Sequence, residues 1–327
     1  MNILVAVFSA GPAWTLPRRF VDELRRDFPQ HTVLDAWDAE TVRRHLPEVD
    51  VAFSAAIDRS AFASLVRLKW VQSPAVGVGG MLGPELVASP IVLTSARGVR
   101  ARAMAEHVLG VTIALARQLP LVLRRQAAHL WALNEIETSG AIRTLLGRRM
   151  AIIGLGAIGL EVARVAAPFG LRVSAIRRRV DLPLPPSVEE ALPPERLHEL
   201  LARSDVVVLS APLTAETSGL IGRPALDAVK RGALLVNIGR GKLVDDDAVV
   251  GALRDGRLGG AALDVFTKEP LDAASPYWDL PNVIVTPHIS GAMEDYWTPL
   301  VALFSENLRR FESGRPLINV VDKTAGY

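Results

Sequence analysis

The strongest constraint on this chain is a repeated alternation. A short apolar run is followed by a turn, then by a stretch with helical spacing, then by another short apolar run. The first series has its runs at Ile3–Phe8, Thr32–Ala36, Val49–Ser54, Trp70–Ser73 and Ile91–Thr94, with a helical segment at Leu16–Phe28 after the turn Ser9–Pro12. The second has runs at Met150–Ile153, Arg172–Ile176, Val206–Leu209, Leu234–Ile238, Ala261–Val265 and Val283–Thr286. Helical segments lie between them at Ile158–Phe169, Glu195–Ala202, Pro224–Lys230 and Asp246–Arg254. Continuous apolar runs of this length read as buried parallel strands, because helices cover both faces of the sheet. Alternation of this kind predicts a doubly wound α/β fold. A long helical stretch from about Arg100 to Arg125 separates the two series, and a last helix is expected from about Gly291 to Gly314.

Composition narrows the function class. The 327 residues suffice for two domains of ordinary size. Half are hydrophobic and 22% charged, which is globular. The formal net charge is +2 and like charges form no long block, so a nucleic-acid groove is not expected. No cysteine is present, which excludes disulfides and thiolate metal sites. The longest apolar candidate for a membrane span, Met104–Leu123, is broken by Glu106, His107 and Arg117. The N-terminal run has no basic residues before it and reads as a strand, so the expected location is the cytoplasm.

Chemistry enters at Gly154-Leu-Gly156-Ala157-Ile158-Gly159, which follows an apolar strand and opens a helix. In that context Gly154 permits the tight turn, Gly156 lets the backbone approach a pyrophosphate, and Gly159 lets helix pack on strand. The helix N-terminus offers free N–H groups and a partial positive charge to the phosphates. The next strand is expected to end beside the adenosine ribose, where an acid would bind the 2′-hydroxyl. Arg177, Arg178 and Arg179 stand there instead, with no acid before Asp181. Arg at that place suits a 2′-phosphate, so NADP(H) is expected ahead of NAD(H). Three later strand ends carry ionisable residues: Arg240, then Asp264 and Glu269, then His288. Ligands of open α/β sheets bind at the carboxyl ends of strands, so these side chains would share one rim suited to proton and hydride chemistry on an acid substrate. Of the other histidines, His31, His45, His129 and His198 read as surface residues and His107 as helix packing.

The residues from Gly154 to Gly159, Ser204 to Thr214 with Glu216 and Thr217, Val236 to Asp245, Leu263 to Leu271 and Pro281 to Ile289 occur together and in order. On them the chain resembles the D-isomer-specific 2-hydroxyacid dehydrogenases, the family of glyoxylate/hydroxypyruvate reductases and 3-phosphoglycerate dehydrogenase. The resemblance implies a Rossmann cofactor domain (99–291) inserted in a flavodoxin-like substrate domain (1–98 plus 292–327). It implies that Arg240 binds the substrate carboxylate and that His288 is the general acid in reduction, oriented and kept protonated by Glu269. Asp264 and the Ile238 carbonyl would hold the nicotinamide carboxamide, and Pro212 and Thr217 would line the cofactor cleft. The loop Pro74–Gly80, through Val76 and Gly77, would offer backbone N–H groups to the substrate, although Gly79 stands where the family usually has Asp. Residues near Arg97, Arg100, Met104, Tyr296 and Trp297 would supply further pocket walls. A homodimer is implied, with an arm from about Leu115 to Leu146. The same fold also serves nucleotide-sensing corepressors, but the basic targeting run or disordered tail expected of one is not seen here. Formate dehydrogenases carry Gln at the place of Glu269. The expected activity is hydride transfer between NAD(P)H and a small 2-oxo or 2-hydroxy acid, with no metal, nucleic acid or membrane involved.

Overall fold

The computed structural model describes residues 1–9 and 14–326; most of the turn expected at Ser9–Pro12 lies outside them. The chain forms two compact units, Met1–Val99 with Glu294–Tyr327, and Arg100–Met293. The first holds a parallel sheet of β1 (Asn2–Ala6), β2 (Thr32–Asp35), β3 (Val51–Ser54), β4 (Trp70–Gln72) and β5 (Val92–Thr94), in the order β2-β1-β3-β4-β5. That is the flavodoxin-like doubly wound order. Strands β1, β3, β4 and β5 are mostly apolar and buried, as a sheet covered on both faces requires, whereas the edge strand β2 buries only Val33. Helix α1 (Arg18–Asp27) buries Phe20, Val21 and Leu24 and leaves its charges outside; the shorter α2 (Ala39–His45) and α3 (Pro84–Ala88) follow β2 and β4.

The second unit begins with α4 (Ala101–Ala116), α5 (Leu119–Ala127) and α6 (Leu133–Thr138). Its parallel sheet comprises β6 (Arg149–Ile153), β7 (Arg172–Ile176), β8 (Glu190–Leu192), β9 (Val206–Leu209), β10 (Ala233–Asn237), β11 (Leu258–Leu263) and β12 (Val283–Val285). The order β12-β11-β10-β9-β6-β7-β8 reverses at β6, so the Gly-rich turn after β6 sits at the topological switch point. Helix α7 (Ala157–Ala166) packs on α4, and Ala105, Val108, Val111 and Leu115 of α4 join Met150, Ile152, Val162 and Val208 in one core; α8 (Leu197–Arg203), α9 (Arg223–Ala228) and α10 (Asp246–Arg254) follow β8, β9 and β10.

Three elements depart from the sequence reading. The helix expected at Arg100–Arg125 is two, α4 and α5, bent by 69°. Gln118 is left-handed at the break and Pro120 opens α5, where its missing N–H costs no hydrogen bond. Strand β8 has three residues, too few for a periodic signal. The last helix, α11 (Trp297–Glu312), starts six residues later than expected. Its first turn is capped by Asp295, which accepts from Thr298 N–H at 3.0 Å. Phe304 of α11 stacks on Phe53 and Trp70 at centroid distances of 4.8 and 5.3 Å, which returns the end of the chain to the first sheet. Among the described residues no single helix is long and apolar enough to cross a membrane.

Candidate active site

Strands β10, β11 and β12 are parallel neighbours, so the segments that follow them emerge on one edge of the second sheet. Arg240 follows β10, Glu269 follows β11 and His288 follows β12. Glu269 and His288 meet: Oε2 of Glu269 lies 2.8 Å from Nδ1 of His288. The other carboxylate oxygen accepts the Phe266 N–H at 2.9 Å. Burial alone would raise the Glu269 pKa, but the hydrogen bonds from His288 and Phe266, with the His288 charge, hold it below the usual range. With Nδ1 turned to the carboxylate, Nε2 is the nitrogen left to exchange a proton with a substrate.

The backbone of His288 is left-handed, with φ of 55°. His adopts this conformation more readily than most residues, but it still needs support. Asp264 supplies that support. Its carbonyl accepts the His288 N–H at 2.9 Å, and its carboxylate accepts the N–H groups of Ile289 at 2.8 Å and Ser290 at 2.9 Å. Thr286 adds a hydroxyl at 2.6 Å. The Asp264 carboxylate, expected on the nicotinamide, is buried and also accepts on both oxygens from the turn that carries His288. Sequence reading missed this, because a carboxylate that receives backbone N–H groups leaves no residue-type signature.

Arg240 is exposed, and its Nη1 donates to the Gly239 carbonyl at 2.7 Å. Asn237, fully buried at the end of β10, donates to the Arg240 carbonyl at 3.0 Å and accepts the Gly239 N–H at 3.1 Å. The remaining guanidinium donors keep the planar fork that suits a carboxylate. Ile238 is buried beside β9, its N–H on the Leu209 carbonyl at 3.2 Å.

The residues of the Gly-rich turn fit a dinucleotide. Gly154 has φ of 102°, and a methyl there would lie 2.7 Å from the Ala211 backbone. A methyl on Gly159 would lie 2.3 Å from the Gly154 carbonyl. The same test at Gly156 meets no atom within 4 Å, which leaves the open approach that a pyrophosphate needs. Gly156 caps α7, whose first-turn N–H groups, from Ala157, Ile158 and Gly159, have no acceptor within the helix. Pro212 and Thr217 close a turn on each other: the Thr217 hydroxyl donates to the Pro212 carbonyl at 2.7 Å.

The arginines after β7 divide in two. Arg177 turns back on its own loop, where its guanidinium donates to the carbonyls of Val180, Leu182 and Pro183. It therefore does not offer the free fork expected of it. Arg178 is exposed and close enough to Glu216 to help hold that carboxylate below its usual pKa range, behind the Thr214 hydroxyl.

Val76 and Gly77 belong to the first unit, in the loop after β4. Val76 is exposed. Arg59 braces this loop by donating to the carbonyls of Gly79 and Gly80 at 2.8 and 2.7 Å. Of the histidines taken for surface residues, His31 has a buried side chain that pairs with Glu312 at 2.9 Å and stacks on Phe28. His107 is half-buried on α4, where burial lowers its pKa against the pull of Asp264. Among the described residues no group of three or more His, Cys, Asp or Glu is placed to hold a metal ion.

Comparison with known proteins bears on this geometry. Residues 109–290 match the model of the D-isomer specific 2-hydroxyacid dehydrogenase NAD binding domain. The chain is 32% identical over 308 residues to the glyoxylate reductase of Korarchaeum cryptofilum, covering 90% of this chain and 91% of that one. It is 32% identical over 321 residues to glyoxylate/hydroxypyruvate reductase B of Pectobacterium atrosepticum, covering 95% and 98%. Among solved structures, the NADPH-dependent glyoxylate/hydroxypyruvate reductase of Sinorhizobium meliloti, in complex with NADP and sulfate, superposes with a TM-score of 0.80 at 27% identity over the whole of both chains. A D-isomer specific 2-hydroxyacid dehydrogenase of Xanthobacter autotrophicus, in complex with NADPH and MES, gives 0.79 at 30% identity over 99% of each.

Proposed function

We propose a specific activity for this chain, which belongs to the D-isomer specific 2-hydroxyacid dehydrogenases and is an NAD(P)-dependent oxidoreductase: NADPH-linked reduction of a small 2-oxo acid of the glyoxylate or hydroxypyruvate kind. The observation that carries the reading is the 2.8 Å contact between Glu269 and His288, with Arg240 on the neighbouring strand end. The reduced nicotinamide, when bound, supplies the hydride that goes to C2 of the acid. His288 gives a proton from Nε2 to the carbonyl oxygen, which becomes the hydroxyl. Glu269 orients the ring and offsets its positive charge. Arg240 binds the carboxylate and draws electron density from C2. Asp264 acts by holding the His288 turn, with one lone pair still available to a carboxamide beside the Ile238 carbonyl. Val76 and Gly77 are proposed to bind the acid through backbone N–H groups, which makes the first unit the proposed substrate domain and the second the cofactor domain. A panel of 2-oxo acids assayed with both cofactors tests the reading. Turnover of none of the small acids would end it.

The preference for NADPH rests on Arg178, with Arg177 as the holder of the loop. The relatives crystallised with NADP or NADPH support it. A charged hydrogen bond is worth about 1.5–3 kcal/mol, or a tenfold or larger preference. Arg178→Asp is expected to shift the NADPH/NADH ratio of kcat/KM toward NADH by about tenfold. An unchanged ratio would remove Arg178 from the phosphate site.

The assembly we propose is a homodimer built on the arm. Helices α5 and α6 bury none of their residues within the chain. Leu123, Leu130, Trp131 and Leu146 are exposed, Trp131 to 92%. This many exposed large apolar side chains in one segment point to an association surface. Light scattering at the mass of one chain, unchanged by Trp131→Asp, would count against it.

A further inference from the structure

We propose that Gly241 is a positioning residue for the reaction. By lacking a side chain it lets the Arg240 loop close directly on the Phe266–Thr267 peptide, and this closure sets the gap between the carboxylate clamp and the His288–Glu269 pair. The inference rests on the catalytic reading above and adds a residue to it.

A methyl group on Gly241 would fall 1.9 Å from the carbonyl carbon of Phe266, 2.2 Å from its oxygen and 2.2 Å from the Thr267 nitrogen. All three atoms are main chain, so no rotamer change relieves the clash. Gly241 is not among the residues with positive φ, so its backbone conformation does not demand glycine. What demands it is the neighbour.

That neighbour belongs to the catalytic pair. Phe266 faces Gly241 through its carbonyl and holds Glu269 through its N–H, at 2.9 Å. Glu269 in turn holds His288 at 2.8 Å. On the other side, Arg240 cannot yield independently, because Asn237 grips its carbonyl and the Gly239 N–H. A chain of short contacts thus runs from Asn237 through Arg240, Gly241 and Phe266 to Glu269 and His288. Its middle link is one backbone laid against another. Real Cβ atoms essentially never come within 3.0 Å of such atoms, so an added methyl must part the two loops by about 1 Å. A misplacement of that size costs on the order of a hundredfold in rate.

Gly241→Ala is therefore expected to lower kcat/KM for the 2-oxo acid about a hundredfold, while the Kd for NADPH stays within a few-fold, because the Gly154–Gly159 turn is untouched. The discriminating arm is a double-mutant cycle. If Gly241 acts by placing Arg240 against the acid, then in an Arg240→Ala background the same substitution costs less than about threefold. A purely structural lesion would cost the same in both backgrounds, and that result, or near-parental turnover in the single variant, overturns the proposal. NADPH binding reports whether the variant has folded. If it has not, Asn237→Ser releases the same loop from its other side and carries the test by the same cycle. Should Arg240→Ala and His288→Ala alone leave turnover near parental, the catalytic reading fails. Should they abolish it while Gly241→Ala does not, only the role of Gly241 falls.

Discussion

The edge formed by β10, β11 and β12 and the loop after β4 are built in opposite ways. Along the edge, the proposed function lies in residues each held by two or more hydrogen bonds, counting side chain and backbone: Arg240 through its side chain on Gly239 and its carbonyl on Asn237, Glu269 through its carboxylate on Phe266 and His288, His288 through its ring on Glu269 and its N–H on Asp264. In the loop after β4, the proposed contacts are backbone, steadied from outside by two side chains: Arg59 on the carbonyls of Gly79 and Gly80, and Tyr296, whose hydroxyl donates to the Pro74 carbonyl. Gly79 and Gly80 have open space where a Cβ would stand, whereas Gly241 has none. A site made of held side chains fixes residue types and spacing, and changes there should be costly. A site made of backbone leaves its residue types loosely fixed, and changes there should be mild.

The largest effect is expected at His288. His288→Ala should lower the rate of reduction by roughly two to four orders of magnitude, the worth of a positioned proton donor. Binding of NADPH, followed by fluorescence, should survive. Near-normal turnover would break the comparison at its strongest point. Arg240→Lys keeps the charge and loses the fork, and should cost about ten- to a hundredfold in kcat/KM, the worth of a charged hydrogen bond. Parental kinetics in that variant would show that the fork is not the clamp.

Smaller and more diagnostic is the pH dependence of Glu269. Its pKa is depressed in the folded chain, so its contribution is fully present above the ordinary glutamate value of about 4.3 and is lost as pH falls through the lower folded value. Thermal melts of the parent and of Glu269→Gln should therefore differ above that pH and converge below it. A constant difference down to strong acid would mean that the carboxylate charge is not what holds His288. The mildest change should be Gly79→Ala. Its Cβ meets nothing and its φ is not positive, so stability should move by less than about 0.5 kcal/mol. A large rise in KM for the acid there would place a second, side-chain-sensitive wall in the loop after β4.

What the sequence made legible follows the same division. Both sheets could be read from their apolar runs, because a strand covered on two faces has little choice of residue. Arg240, Glu269 and His288 stood out because three strand ends in a row carried ionisable groups. The bend at Gln118 had its signal in Pro120, which belongs in the first turn of a helix, but apolar spacing on both sides of it reads as one helix; β8 was hidden by its brevity. The grip of Asp264 on the His288 turn and that of Arg177 on its own loop were not legible for one reason: each contacts backbone, and a backbone partner is the same whatever the sequence. Gly241 lies inside the Val236–Asp245 stretch with nothing in the sequence to mark its purpose, since a close approach between two main chains is visible only in three dimensions.

The first unit is completed by residues that come late. Its β1 to β5 are made before any of Arg100–Met293, and α11 after all of it. Until then the faces of Phe53 and Trp70 that stack on Phe304 have no cover. At synthesis rates of about 5–20 residues per second the wait lasts roughly 10 to 40 seconds. The nascent chain thus carries an uncovered aromatic face on a nearly finished sheet while its neighbour unit can already fold. In a cell short of chaperones, the yield of this protein should be limited by Phe53 and Trp70 before any catalytic residue matters.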